Sequence, residues 1–395
     1  MELIELVIKT TDNCRSKLEE ESFVIVTNTG KAINVSLKIH NTMMDLIKMK
    51  RNLCSKLGAD CILCKHPQND WMNQDIIEQG FRITTSAADT LEIYESLLGD
   101  DGNILKEKGD YSKRNGSTRK PITTSDLYSI TITHSWINIT NWFIKILARL
   151  NAEYKVWELK STIYGDHIRA GTTRVQDIIY SESGRRLSQV SGPLQKSGGS
   201  TQGNDGRVFF TLQFLPIILK CIPQKYHQTI QKLHKNLSCM LRIISSSSSL
   251  NWYAFHNLAR ETSLLLATKL DWVKINWTLH GVLHHSCELI EVNDKCGLGM
   301  LSEEALESNN KYIRKFLEDF SRKMCSVKQL TDVMNRLLER SDPCINWCRL
   351  KYNRTIECNT CGSSKHSTRG HQKALTFDEY DTLVHDILID IDSFY

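Results

Sequence analysis

Cys61-Ile62-Leu63-Cys64 sets two thiols two residues apart, the knuckle spacing that brings a pair of thiolates to one tetrahedral metal ion. The nitrogen ligands that would complete such a site lie far along the chain, in Leu279-His280-Gly281-Val282-Leu283-His284-His285. On a regular helix, residues five apart sit about 140° round the axis. His280 and His285 therefore reach one ion only where the helix is distorted or ends, and His284, at the i+4 position, competes for the fourth place. The interval from Cys64 to His280 spans more than half the chain. Closing a loop of that length costs roughly 5 kcal/mol plus a constant, whereas a structural zinc site supplies on the order of 10–16 kcal/mol. Long-range ligation is physically reasonable on that comparison. The plainer alternative is a buried thiol pair beside a helix that happens to be rich in histidine.

A second cluster lies near the end of the sequence. Cys358, Cys361, His366 and His371 follow C-x₂-C-x₄-H-x₄-H, a zinc-knuckle spacing with His where the last ligand is usually Cys. Lys365, Arg369 and Lys373 would give this second zinc site a basic surface suited to nucleic acid. The alternative is a polar tail with no fixed structure. Leu375 to Tyr395 then reads as a short acidic helix that packs on the body or on a partner.

The rest of the composition is that of a folded soluble protein. Of 395 residues, 41% are hydrophobic and 24% charged, enough for two or three packed units. A net charge of +5 permits a nucleic-acid partner without demanding one. Glu2, Glu5, Lys9, Asp12 and Arg15 leave no room for a secretory apolar segment. The longest apolar stretch, Arg207 to Lys220, is broken by Thr211, Gln213 and Pro216 and is too short to span a bilayer, so no membrane is expected. The 13 cysteines are an odd number, and the expected compartment is intracellular and reducing, so paired cysteines weigh as metal ligands before disulfides.

The elements that must hold these residues are mostly helical. Leu3, Val7, Cys14 and Leu18 mark an amphipathic helix over Met1 to Glu21. Phe23 to Val26, a turn at Asn28-Thr29-Gly30, and alternating Ile33, Val35, Leu37 and Ile39 predict a β-hairpin. Helices are expected at Thr85 to Leu98, His134 to Leu159, Gln224 to Ile244, Asn251 to Leu270, Val273 to Ile290, Ser302 to Met324 and Leu330 to Arg340. Ser181 to Gly206, rich in Ser and Gly, reads as a linker or surface loop.

Three blocks carry a resemblance. One is Leu301-Ser302-Glu303-Glu304-Ala305-Leu306-Glu307-Ser308-Asn309-Asn310-Lys311, with Arg336-Leu337-Leu338 and Ser341-Asp342-Pro343 after it. Another is Met44-Asp45, followed by the Cys61/Cys64 knuckle and Trp71-Met72-Asn73. The third runs from Ser197-Gly198-Gly199-Ser200 through Asn204-Asp205-Gly206 to Phe209-Phe210. Together these blocks, within about residues 24 to 345, resemble the Transib transposases and the related catalytic subunit of the V(D)J recombinase.

The resemblance implies an RNase H-like core in which three carboxylates hold two Mg²⁺ or Mn²⁺ ions for DNA cleavage and strand transfer. Asp45 falls at the family's second catalytic aspartate and Glu307 at its third acid. Lys311 and Arg314, at i+4 and i+7 from Glu307, share its face and would meet DNA phosphates; the plainer alternative is a solvated helix whose charges pair with Glu303 and Glu318. The family also completes its zinc site with two histidines spaced as His280 and His285 are, which favours His285 over His284. It implies an α+β, mostly helical fold, namely a partial RNase H-like core with a large helical zinc-binding insertion. Its expected divisions are 1–45, a connecting helix and partial β segment; 46–295, the insertion; 296–345, catalytic-type helices; and 346–395, the tail. The family's first catalytic aspartate precedes this region, so the chain reads as N-terminally truncated and weakly active or inactive. The resemblance further implies a nuclear, DNA-binding homodimer. A zinc-organised nucleic-acid-binding or scaffold protein domesticated from a transposase is the alternative.

Overall fold

The residues from Ile132 to Asn151 are apolar round most of the helical circumference, with His134, Asn138, Asn141 and Lys145 confined to one narrow stripe, which suits a helix largely enclosed by others. In the computed structural model they form such a helix, with Trp136, Ile139, Trp142, Phe143, Ile146, Leu147 and Leu150 all buried. The structure describes residues 17, 20, 22–26, 32–36, 61, 63–84, 87–96, 130–158, 162–185, 187, 203–292, 295–302, 304–322, 326–341 and 379–387. Helix makes up 74% of the interpretable part, so the fold is mostly helical.

Among the described residues the only sheet is a two-stranded antiparallel ribbon, β1 (Ser22–Val26) with β2 (Ala32–Ser36), pairing Phe23 with Val35 and Ile25 with Ile33. The helices are α1 (Gln74–Gln79), α2 (Ala87–Ser96), α3 (Ile132–Asn151), α4 (Thr162–Ser183), α5 (Gly203–Phe209), α6 (Leu215–Lys220), α7 (His227–Ser245) and α8 (Trp252–Lys269). After them come α9 (Trp277–His280), a π-helical turn (Gly281–His285) and α10 (Ser286–Val292). The series ends with α11 (Glu304–Asp319), α12 (Ser326–Ser341) and α13 (Glu379–Ile387). None of the described helices is long and apolar enough to cross a membrane. The chain divides into two units, Met1–Ser302 with Glu379–Tyr395, and Glu303–Asp378.

In the first unit α3 is the centre, packed by α4, α5, α7 and α9. It is shorter than the aromatic run to Trp157 suggests. Glu153 adopts φ 54°, and the Tyr154 N–H bonds back to Arg149 O at 2.7 Å, a left-handed stop of the Schellman kind. Arg149 then donates to Val156 O and Trp157 O, folding that aromatic stretch over the helix end.

Two further boundaries differ from the sequence expectation. The Ser/Gly-rich stretch begins inside α4 and ends inside α5, so helix replaces loop at both of its edges. The 22-residue α4 itself was not expected. Its buried stripe, Ile168, Gly171, Val175 and Ile179, is narrow and includes a glycine, so its helical period is faint in a polar sequence.

That glycine sets the spacing of α3 and α4. A Cβ at Gly171 would stand 2.5 Å from the backbone oxygen of Ala148, whereas one at Gly165 on the same helix would meet only the end of Arg169 at 3.9 Å. Gly165→Ala should stabilise the protein by up to about 1 kcal/mol through helix propensity. Gly171→Ala should instead destabilise it, a net loss on the order of 1–2 kcal/mol, because the helices must part. Opposite shifts of the two melting midpoints are the expected result; shifts of the same sign would refute the close-packing argument.

The second unit contains a pair of packed helices, α11 and α12. Arg322 grips Asp332 through Nε at 3.0 Å and a terminal nitrogen at 2.7 Å, and the Arg336 guanidinium lies 4.8 Å from the Phe320 ring centroid.

Candidate metal centre

The knuckle is shaped by its own backbone. Cys61 N–H donates to His66 O at 3.0 Å and Lys65 N–H to Cys61 O at 2.9 Å, with Lys65 in the left-handed region at φ 62°. This tight reversal turns both thiols to one side, and the Leu63 N–H points at Cys61 Sγ at 3.4 Å. Trp71 locks the turn by donating from Nε1 to His66 O at 3.0 Å. Gln68 ties it to the segment before α9 through Ile275 O at 2.8 Å.

The histidines arrive on the distorted helix that their spacing requires. Asn276 caps α9 by accepting from the Leu279 N–H at 2.8 Å. Trp142 and Asn138 of α3 anchor the same entry through Lys274 O at 2.9 Å and Thr278 Oγ1 at 3.0 Å. The chain then widens into the π turn Gly281–His285. In a π turn each hydrogen bond spans five residues, so positions five apart come nearly into line where an α-helix would separate them. His280 and His285 thus project together, and their Nε2 atoms are 3.2 Å apart.

The two pairs meet in the interior. Cys64 Sγ is 3.4 Å from His280 Nε2, and Cys61 Sγ is 3.4 Å from His285 Nε2. All four donor atoms lie within 4.8 Å of one another and all four residues are buried. With Zn–S near 2.3 Å and Zn–N near 2.0–2.1 Å, a tetrahedron has S···N edges of about 3.6 Å and an N···N edge of about 3.3 Å. The two S···N contacts and the N···N contact match those edges to within about 0.2 Å. The group is thus able to hold a metal ion, and its two sulfur and two nitrogen donors fit zinc.

Electrostatics point the same way. Burial alone would push the Cys61 thiol up, but hydrogen bonds from Cys64, His280 and His285 outweigh it and the net shift is downward. Cys64 is pushed up by its contact with the Cys61 sulfur and then by burial. Two thiols this close cannot both ionise without a cation between them. Burial lowers His280 to about 4, leaving it the neutral ligand that a metal needs. His285 is also opposed by burial, but Cys61 and Glu288 together raise it.

Glu288 was not singled out from the sequence. Its Oε2 accepts the Ile83 N–H at 2.8 Å and lies 3.9 Å from His285 Nδ1, so one carboxylate faces the ligand and braces the irregular segment 81–84. The available signal was a carboxylate three residues beyond the second histidine, one turn along the same face. His284, the competitor on spacing, is not one of the four. Its ring packs against Phe81, centroids 4.4 Å apart, and burial drives its pKa well below the ordinary value. Trp71 stacks on His280 at 4.2 Å and Phe81 meets it edge-on at 5.0 Å, walling the centre with aromatic surface.

The remaining candidates are placed as follows. Asp45, Cys358, Cys361, His366 and His371 lie outside the described residues, as do most of the helix expected before β1 and the turn at Asn28-Thr29-Gly30. Glu307, Lys311 and Arg314 are on α11 in the second unit; Arg314 is exposed, and the side chains of the other two are outside the described residues. The Asn204-Asp205-Gly206…Phe209-Phe210 block has a packing role. A Cβ at Gly206 would sit 2.9 Å from Trp136 O, and both phenylalanines are buried. Their carbonyls are bonded by α7, Phe209 O to His234 Nε2 at 2.9 Å and Phe210 O to Ser238 Oγ at 2.6 Å.

No protein-family model matches the chain, and no curated protein matches it.

Proposed function

We propose that this chain derives from a DNA transposase or recombinase of the Transib and V(D)J type, with Cys61, Cys64, His280 and His285 as its structural zinc site. The observation that carries the reading is the buried group itself. It joins a Cys-x-x-Cys knuckle to two histidines five apart across more than half the chain, the ligand set that the resemblance implies. In this reading the chain carries part of an RNase H-like catalytic core, and Asp45 and Glu307 supply two of the carboxylates that bind Mg²⁺ or Mn²⁺. Lys311 and Arg314 lie along the DNA, and the protein works as a nuclear homodimer. These residues match two of the family's three acids, so the 395 residues alone cleave and transfer DNA weakly or not at all.

A second reading is a zinc-organised nucleic-acid-binding or scaffold protein. It is favoured by one feature: all four donors come from the first unit, and the centre is complete without any carboxylate. Incubating the purified chain with Mg²⁺ or Mn²⁺ and a DNA hairpin or inverted-repeat end separates the two. Little or no nicking is expected. Strong metal-dependent nicking that Glu307→Gln abolishes would overturn the inactive assignment and make the chain a working nuclease. DNA binding that survives Asp45→Asn and Glu307→Gln but disappears on chelation favours the scaffold. Absence of DNA affinity at low salt would remove both.

A further inference from the structure

The helix α13 is attached to the first unit in the way a peptide is attached to a receptor. Its buried or half-buried apolar residues are Tyr380, Leu383, Val384 and Ile387, the i, i+3, i+4, i+7 pattern of a helix laid in a groove. It packs on α7 and touches α8. Polar contacts fix its register at both ends. Tyr380 Oη donates to His234 Nδ1 at 2.8 Å, a tautomer set by His234 Nε2–H donating to Phe209 O. Cys239 Sγ faces Tyr380 O at 3.7 Å, and Asn251 N–H donates to Ile387 O at 2.6 Å.

We infer that the α7–α8 surface around His234 is a docking groove for a short amphipathic helix, and that residues 379–387 of this chain are its detachable occupant. A nine-residue helix is not stable alone in water, so α13 owes its form to the groove. The cost of ordering nine residues is of the same size as the gain from burying four apolar side chains, so the occupant is held by a small margin. The His234 floor makes the groove selective. An occupant without a hydroxyl at the Tyr380 position leaves the buried Nδ1 unpaired. The occupant the groove reads is therefore a helix with tyrosine at i and aliphatic residues at i+3, i+4 and i+7.

The test uses the full chain with a site-specific protease recognition sequence inserted after residue 374. After cleavage, a fluorescein-labelled peptide of residues 375–395 is added and its anisotropy followed. The expected result is saturable exchange with the resident fragment while far-UV circular dichroism and metal content hold. The Tyr380→Phe peptide should bind roughly three- to tenfold more weakly, and the Tyr380→Ala peptide should fail to compete. Failure to exchange at any peptide concentration, or loss of the body's helicity once the fragment leaves, would show α13 to be an integral part of the core. Equal binding by all three peptides would show non-specific adsorption. Either outcome overturns the inference.

Discussion

Cys64→Ser or His280→Ala should leave the purified chain without its equivalent of zinc and largely unfolded at room temperature. A structural zinc site contributes on the order of 10–16 kcal/mol, as much as the whole net stability of about 5–15 kcal/mol of a typical domain. The ligands join segments more than half the chain apart, and their loss leaves the knuckle tied to the α9 region only by weaker contacts such as Gln68 to Ile275 O and Ile83 to Glu288. A strong chelator should do the same to the wild type. His284→Ala should keep the metal, because that ring faces Phe81 and not the sulfurs. Glu288→Gln should keep it with affinity reduced about tenfold, since it removes the negative charge 3.9 Å from His285 Nδ1. Metal content by plasma mass spectrometry together with a thermal melt settles the matter. A wild-type chain that is metal-free after preparation in zinc-replete medium, yet melts cooperatively and ignores chelators, would sink the assignment.

Acid should loosen the first unit through His234. Burial holds its pKa near 4, below the ordinary 6.5, because charging the ring would place a cation among Phe143, Phe209, Phe210 and Tyr380. Protonation would also replace the acceptor that Tyr380 Oη uses with a second donor. For a depressed histidine the unfolded chain binds the proton more readily. The contribution is therefore full above pH 6.5 and is lost progressively as the pH falls from 6.5 to about 4. Over that window the loss is on the order of 3 kcal/mol. Urea melts of the wild type and His234→Gln at several pH values measure the difference. The variant should be less stable at neutral pH and markedly flatter between 6.5 and 4. Identical slopes would mean that His234 is not the group responsible. His280 shifts the same way, but it is common to both proteins and cancels in the comparison.

The division between what was legible in the residues and what was not follows the range of the interactions involved. Local patterns were sufficient for the mostly helical character, for α7 and α8 within three residues, for the pairing of Phe23–Val26 with the strand around Ile33 and Val35, and for the donor types of the metal group. Helical period, strand alternation and Cys-x-x-Cys spacing all act over a few residues, so one sequence displays them. Which histidine completes the group was not decided by spacing, because regular helical geometry favours His284. The π turn, held by Asn276 and by Trp142 and Asn138 from α3, brings His285 into line instead. The polar helix α4 is specified mainly by its fit against α3 at Gly171; a short helix within Leu375 to Tyr395 was legible, but its seat was decided by the groove that receives Tyr380. The residue types for a metal site were set by the sequence, while the partners of His285, Gly171 and Tyr380 were chosen in three dimensions. Each of those contacts is a close approach between segments far apart in the chain, and no local pattern encodes such an approach.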